Sequence, residues 1–187
     1  MKIYLDTNIF DLLTKDDHRK KDTEILFSKI ENGKFEAYYS PTVVEEILRT
    51  KCKRQRGRLE KILTEKMLKK RCVKPIYLNI DDLFKIHKLV DAYYYDSEER
   101  ISTSSGFRII RRKSIFSKSG SQAGDRIQVA TAVINKIDAF VTWNTREFIK
   151  TKKITSLINS VNEKLGYTKI DFFNPTRLIR ELNLLYC

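Results

Sequence analysis

Cysteine, histidine and long apolar runs are scarce in this chain of 187 residues, and each scarcity argues against one class of protein. The cysteines Cys52, Cys72 and Cys187 are far apart and fall in no CxxC or Cys/His pattern, so the sequence suggests neither a disulfide framework nor a zinc site. The histidines His18 and His87 have no matching Ser or Cys context, so nothing points to a covalent nucleophile. No apolar run approaches the roughly 18 residues of a membrane-spanning helix.

Positive charge is plentiful. Lys and Arg number 37 against 24 Asp and Glu, which gives a formal net charge of +13. This balance favours a polyanionic partner, either nucleic acid or an anionic membrane surface. The basic helices lack a clean apolar face rich in Trp, Phe and Leu, which argues against the membrane surface. The start Met-Lys-Ile-Tyr-Leu-Asp contains no signal-peptide core and predicts a cytoplasmic protein.

Strand patterns alternate with helix patterns along the chain. Strands are predicted at 2–5, 35–39, 138–142 and 169–173. Helices are predicted after Asp6, from Ser40-Pro41-Thr42, over 81–96, from Asp125 and from Asn174-Pro175. This alternation predicts one α/β domain over residues 1–187, with a mainly parallel sheet.

Two segments stand apart from this alternation. Residues 49–74 form a basic segment, predicted as a helical hairpin or a bent helix broken near Gly57. Residues 97–124 are rich in Ser and Gly, hold no acid after Glu99 and are predicted as a flexible inserted loop. The loop immediately precedes Asp125, so we interpret it as a flap whose Phe107 or Phe116 stacks on a base.

An acidic cluster is expected where strands end. Ligand sites of open α/β sheets form outside the carboxyl ends of the strands, and Asp6 and Asn144 each follow a strand there. Glu46 and Asp125 lie in the first turns of helices at the same edge. Carboxylates brought together repel unless a hard cation neutralises them, which favours Mg²⁺ or Mn²⁺. Each acid also has an ordinary interpretation, as a helix cap or as a solvated residue.

The order of these motifs resembles a known family. Lys2-Ile-Tyr-Leu-Asp6-Thr-Asn8 resembles the opening motif of PIN domains, the ribonuclease fold of VapC-type toxins. Ser40-Pro-Thr-Val-Val-Glu-Glu46 is similar to the second motif, and Asp125-Arg-Ile-Gln-Val-Ala-Thr-Ala132 to the third. Phe140-Val-Thr-Trp-Asn144-Thr-Arg-Glu147-Phe148 resembles the fourth, and the match runs nearly end to end apart from the two segments above.

The resemblance implies a three-layer α/β/α sandwich and a metal-dependent ribonuclease. Its Mg²⁺ or Mn²⁺ would be held by Asp6, Glu46 and Asp125, with Asn144 as a fourth catalytic position. Many members carry Asp where this chain has Asn144, and Asn8 and Glu147 are further candidates. The resemblance also implies a homodimer and a toxin with a cognate antitoxin protein.

RNA contacts are predicted at basic side chains outside the acidic cluster, namely Lys53, Arg54, Arg56, Arg58, Arg111 and Arg112. Two alternatives remain open. One is an RNA-binding module of the same fold with little or no cleavage. The other is a phosphatase or phosphotransfer domain, because Asp6-x-Asn8 follows a strand, although the haloacid-dehalogenase-like pattern requires a second Asp at position 8.

Overall fold

Five parallel strands form the central sheet of the fold in a computed structural model. The structure describes residues 1–69, 72–99, 109–114, 122–144 and 152–185. The strands of this sheet are β1 (Lys2–Leu5), β2 (Glu36–Tyr39), β3 (Val73–Pro75), β6 (Ala139–Val141) and β7 (Asp171–Phe173). A separate antiparallel pair consists of β4 (Tyr94–Glu99) and β5 (Ile109–Ser114). The helices are α1 (Thr7–Leu13), α2 (Lys20–Glu31), α3 (Pro41–Leu48), α4 (Lys53–Leu63), α5 (Ile80–Ala92), α6 (Gln122–Ile134), α7 (Lys152–Lys164) and α8 (Pro175–Leu185), with a π-helical segment at Thr64–Lys69.

The strand order of the sheet is β3-β2-β1-β6-β7, and every pairing is parallel. Strands β2 and β3 are added successively on one side of β1, and β6 and β7 are added on its other side. Right-handed crossovers therefore place α1 to α4 on one face of the sheet and α5 to α7 on the other. The last helix, α8, returns to pack against α2. The predicted α/β class with a parallel sheet and helices on both sides is confirmed.

Strand β1 lies at the middle of the sheet and is covered on both faces. Its residues Ile3, Tyr4 and Leu5 are fully buried. Tyr4 stacks on Phe140 of β6 with ring centroids 5.1 Å apart, and Phe140 in turn contacts Phe172 of β7. Buried strands of a parallel sheet are apolar on both sides, which is the pattern that Ile-Tyr-Leu shows. None of the helices that the structure describes is both long and apolar enough to cross a membrane.

The basic segment 49–74 differs in part from its prediction. Helix α4 runs through Gly57 without a break, and the π-helical segment continues it. A glycine inside a helix costs only about 1 kcal/mol, which buried Leu59 and Leu63 offset. Val73 and Lys74, predicted as the end of this helical segment, instead belong to the edge strand β3 (Val73–Pro75). Proline is tolerated there because one side of an edge strand needs no backbone donor.

The segment 97–124 also differs from a plain loop. Its first residues belong to β4, and Ile109–Ser114 forms β5, which pairs with β4 from Tyr94↔Ser114 to Glu99↔Ile109. The predicted helix 81–96 is consequently shorter and ends at Ala92. The last residues of segment 97–124, Gln122 to Gly124, begin helix α6. Asp125 therefore lies within the first turn of this helix and is not its N-cap. Phe107 and Phe116, the predicted stacking residues, lie outside the described residues.

Candidate active site

The carboxyl edge of the sheet carries a row of polar residues. Asp6 follows β1 and Thr142 follows β6, and the parallel register Leu5↔Val141 places them side by side. The backbone N–H of Asp6 donates to the carbonyl of Val141 at 3.1 Å. Ser40 follows β2 at the same edge, and its hydroxyl lies 2.5 Å from that of Tyr4. Asp6, the first predicted residue of the acidic cluster, therefore lies at the carboxyl edge of the sheet, as the sequence predicts.

Asp6 occupies the N-cap position of α1, but its side chain does not cap the helix. Its Oδ2 instead accepts hydrogen bonds from Thr142 Oγ1 at 2.6 Å and from Asn8 Nδ2 at 2.5 Å. Asn8 also donates to Thr142 Oγ1 at 2.9 Å, which closes a triangle of three side chains. The carboxylate is only 3% exposed. A capping role alone does not account for a carboxylate held in this way.

The ionisation of Asp6 is disfavoured by its surroundings. Burial raises the pKa of Asp6 from 3.8 to about 6, and the hydrogen bond from Thr142 opposes this rise. The negative charge of Glu46 is a second, smaller cause of this raised pKa. The two predicted ligands Asp6 and Glu46 are therefore close enough to interact electrostatically.

Glu46 is the inward member of the Glu45–Glu46 pair. Glu45 is exposed and forms an ion pair with Arg49 at 2.7 Å. Glu46 is half-buried, and its Oε2 accepts hydrogen bonds from the Thr7 hydroxyl and from Gln128 Nε2, the latter at 3.1 Å. These contacts hold the start of α1 and the second turns of α3 and α6 together around one carboxylate.

Helix α6 approaches Glu46 at a glycine. A Cβ built on Gly124 would lie 2.0 Å from Glu46 Oε1, a distance that side chains do not adopt. Asp125, the next residue, is half-buried in the first turn of this helix. Among the described residues, however, no three His, Cys, Asp or Glu side chains form a group that could hold a metal ion. The structure thus brings Asp6 near Glu46, and the convergence of Asp125 on them stays a prediction.

Asn144 lies beside the same network. Its backbone N–H donates to Thr142 Oγ1 at 2.9 Å, and the residue is half-buried. Asn8 Oδ1 accepts a 2.8 Å hydrogen bond from the backbone N–H of Trp143. Asn8 therefore ties the start of α1 to the chain that follows β6. Glu147, the other candidate in this motif, lies outside the described residues.

The carboxylate oxygens at this edge are ligands that suit a hard divalent cation. Two carboxylates, Asp6 and Glu46, interact unfavourably, and their hydrogen-bond partners among the described residues are neutral: Thr7, Asn8, Thr142 and Gln128. No described Lys or Arg hydrogen-bonds to either carboxylate. An oxygen-liganded cation such as Mg²⁺ or Mn²⁺ would relieve the repulsion between the two charges. The chemistry of these two carboxylates suits such a cation, and the metal itself stays a prediction.

The predicted RNA-binding residues of α4 begin close to α1. Gln55 Nε2 donates to Asp11 Oδ1 at 2.6 Å, and Asp11 is four residues after Thr7, a rise of about 6 Å along the helix. Lys53, Arg54 and Arg58 are exposed, and among the described residues they form no ion pair. Arg56 differs, because its Nε lies 3.7 Å from Glu60 Oε1. Arg111 and Arg112 lie on β5, and their side chains are outside what the structure describes.

Three residues of this site are not predicted by the sequence motifs as site residues: Thr7, Gln128 and Thr142. Thr142 had a usable signal, because it follows β6 directly as Asp6 follows β1. Gln128 was assigned to a capping pattern with Asp125. It is in fact fully buried, and its side chain reaches Glu46 on another helix.

Comparison with known proteins adds support at the level of the fold. No family model matches the chain, and no curated protein matches it. Among solved structures, a chain of the crystal structure of VapBC2 from Rickettsia felis bound to a DNA fragment from their promoter superposes with a TM-score of 0.51. The two sequences are 13% identical, and the match covers 93% of this chain and 98% of that chain. The three-layer α/β fold expected from the PIN-domain resemblance is confirmed.

Proposed function

We propose that this protein is a metal-dependent endoribonuclease of the PIN-domain kind. The observation that carries the proposal is the Asp6–Glu46 pair, two neighbouring carboxylates with neutral partners at the carboxyl edge of a parallel sheet. The order of the four motifs and the fold shared with the VapBC2 chain support the same assignment. The excess of positive charge suits a substrate made of phosphodiesters.

Asp6, Glu46 and Asp125 are the residues that would hold Mg²⁺ or Mn²⁺, with Asn144 beside them. When bound, the cation would polarise the scissile phosphate and lower the pKa of an attacking water. Thr142 and Asn8 hold the Asp6 carboxylate in place through Oδ2. Asp6 or Asp125 would orient that water as it loses a proton.

The RNA backbone is proposed to run from the acidic edge along the start of α4. A polar groove of about 500 Å³ lies between the end of α1 and this start of α4, and Lys15, Arg54 and Arg58 are among its lining residues. Asp17 at the same groove is paired with Arg19 at 2.6 Å, so its charge is largely compensated. Lys15 is paired with Asp11, whereas Arg54 and Arg58 form no ion pair among the described residues and suit phosphate contacts that position the strand.

The test is cleavage of RNA by the purified protein with Mg²⁺, with Mn²⁺ and with EDTA. Asp6→Asn and Glu46→Gln should each abolish cleavage, at least about a hundredfold, while the protein remains folded. Asp138→Asn is the matched control, because Asp138 is an exposed carboxylate at the opposite edge of the same sheet. Cleavage that persists in EDTA, or in both site variants, would refute the proposal.

The second candidate function is RNA binding without cleavage, and Asn144 favours it. An amide at this position gives the site one negative charge fewer than the all-acidic form of the motif. In that case RNA binding would persist in EDTA, and no products would appear with either cation. The same purified protein therefore distinguishes the two functions.

A role as the toxin of a toxin–antitoxin pair is proposed from the same resemblance. Expression in a bacterial host should arrest growth, and Asp6→Asn should relieve the arrest. A cognate antitoxin protein would bind the wild type and the variant alike. Growth that is equally impaired by both forms would separate toxicity from the proposed chemistry.

A homodimer is proposed through an apolar face that α3 and α5 share. Tyr77, Ile80, Leu83 and Phe84 are each more than half exposed there, beside two grooves of about 560 and 800 Å³. Projecting rings and open grooves on one face can be self-complementary across a twofold axis. This face carries four acidic and three basic residues: Glu45, Asp81, Asp82, Asp91, Arg49, Lys85 and Lys88. Its charge is therefore nearly balanced, whereas the whole chain carries +13. Two copies can approach through this face with little electrostatic repulsion.

A further inference from the structure

Gln128 is a fully buried polar side chain in contact with the proposed site. It is fully buried on α6, and its Nε2 donates to Glu46 Oε2 at 3.1 Å, with a longer contact of 3.4 Å to Thr7 Oγ1. Its Oε1 is buried and has no hydrogen-bond partner among the described residues. A buried carbonyl without a partner is costly, so the orientation of this amide needs a reason.

That reason is the carboxylate of Glu46. Turning the amide over would place Oε1 against Glu46 Oε2 and bring two acceptors together. The donor must therefore face Glu46 while the site is ionised, and the orphaned Oε1 is the consequence.

Gly124 lies one helical turn before Gln128, on the same face of α6. The two residues contact different oxygens of Glu46. Gln128 donates to Oε2, whereas Gly124 leaves room for Oε1, which a Cβ would displace. Glu46 is thus held between a donor and an open backbone position, and both belong to one helix.

We propose that Gln128 is a positioning residue, which acts with Gly124 to fix the rotamer of Glu46 so that its carboxylate faces the Asp6 side of the site. This inference rests on the proposed function and deepens it, because it names how one ligand is oriented. Gln128 itself touches neither metal nor substrate in this role. Partners that orient a metal ligand typically change metal affinity or activity by about ten- to a hundredfold when they are replaced.

Two substitutions separate the donor from the bulk of the side chain. Gln128→Met keeps the length and the apolar packing but donates nothing to Glu46. Gln128→His keeps a ring N–H donor at a similar reach. Thr131→Val is the matched control, because Thr131 is buried on the same helix, its hydroxyl has no hydrogen-bond partner within the described part of the chain, and it does not bond to Glu46.

The first measurement is Mn²⁺ affinity by calorimetry, with Mn²⁺ alone as the probe. Gln128→Met and Gly124→Ala should each weaken it by about tenfold. Gln128→His should restore most of the affinity, and Thr131→Val should leave it unchanged. Wild-type affinity in Gln128→Met would overturn the proposal.

The second measurement needs neither metal nor RNA and distinguishes failure of this inference from failure of the nuclease proposal. Thermal melting in EDTA compares Gln128→Met in the wild-type background and in a Glu46→Met background. The loss of melting temperature should be larger by at least about 3 °C when Glu46 is present, because a charge-assisted hydrogen bond is removed. If the wild type binds no Mn²⁺, the nuclease proposal fails and this cycle alone decides the positioning role. Equal losses in both backgrounds would reject it.

Discussion

Thr142 Oγ1 donates a 2.6 Å hydrogen bond to Asp6 Oδ2, and this bond joins the residue after β6 to the residue after β1. Thr142 also accepts hydrogen bonds from Asn8 Nδ2 and from the backbone N–H of Asn144. A single hydroxyl therefore connects three positions that the sequence had proposed separately. Its hydrogen is directed to the one charged partner among them.

Thr142→Val should lower stability and cleavage together. A hydrogen bond to a charged group contributes about 1.5–3 kcal/mol, and valine keeps the shape of threonine without its donor. We expect the free energy of unfolding at pH 7 to fall by about 1–2 kcal/mol, measured by denaturant titration. In an Asp6→Asn background the same substitution should matter less. An equal loss in both backgrounds would show that the Thr142–Asp6 bond is not the cause.

The raised pKa of Asp6 gives the metal-free protein a specific pH dependence. Since the pKa rises from 3.8 to about 6 on folding, the folded state binds more protons between these values, and stability falls as the pH rises through them. Asp6→Asn should therefore be more stable than the wild type at pH 7 in EDTA, by about 2–3 kcal/mol. The gain should disappear near pH 4. Asp138→Asn controls for the loss of one surface charge, and a gain that does not depend on pH would contradict the assignment.

Asn144→Asp tests the position at which the fourth motif departs from the acidic pattern. The backbone of Asn144 is fixed to Thr142, so an Asp there would add a charged oxygen at the same edge. We expect Mn²⁺ or Mg²⁺ to bind about tenfold tighter, by calorimetric titration. The metal-free variant should be less stable, because a further negative charge would lie at the same edge of the sheet as Asp6. Equal affinities would place position 144 out of reach of the metal and make Glu147 the next candidate.

The sheet and the first two acids could be predicted because their signals are local. An apolar run that ends in Asp6 marks both a buried strand and a polar residue at its carboxyl end. Strand β3 could not be predicted, because three residues that include Pro75 carry almost no strand pattern without their neighbour β2. Helical spacing alone does not separate Glu46 from Glu45, and it is the resemblance to the second PIN-domain motif that selects Glu46. The packing of α6 against α3 gives the physical reason, because Gln128 contacts Glu46.

Gln128 shows why the rest of the site could not be predicted. Asp125-x-x-Gln128 fits a capping box within one helix, and that local interpretation satisfied the pattern. The helix begins three residues earlier, so the box does not form and the amide is available to Glu46. Its partner is 82 positions away in sequence, a contact that no local pattern encodes.

The start of α4 should contribute phosphate contacts that weaken with salt. Lys53, Arg54 and Arg58 are exposed, and the groove beside them lies at the end of α1. Replacing all three with Ser should weaken RNA binding and reduce the slope of log affinity against log salt, by about 0.7 for each lost contact with single-stranded RNA. Replacing Lys85 and Lys88 on α5 with Ser is the control, and it should leave the slope unchanged. An unaltered slope in the α4 variant would assign this segment to another role.

The apolar face of α3 and α5 should join two copies of the chain in solution. Leu83 and Phe84 project from α5 beside grooves that Leu48 and Tyr77 also border, and burying such side chains is worth about 1.5–3 kcal/mol each. We expect the wild type to sediment as a dimer, and Leu83→Glu combined with Phe84→Glu to sediment as a folded monomer. Leu157→Glu is the control, because Leu157 is a partly exposed apolar residue on α7 and should leave the dimer intact. A wild type that stays monomeric at high concentration would refute the dimer, and dissociation by Leu157→Glu would move the interface to another face. Both positions on α5 are remote in sequence from Asp6 and Glu46, so cleavage by the monomeric variant also shows whether the site needs the second copy.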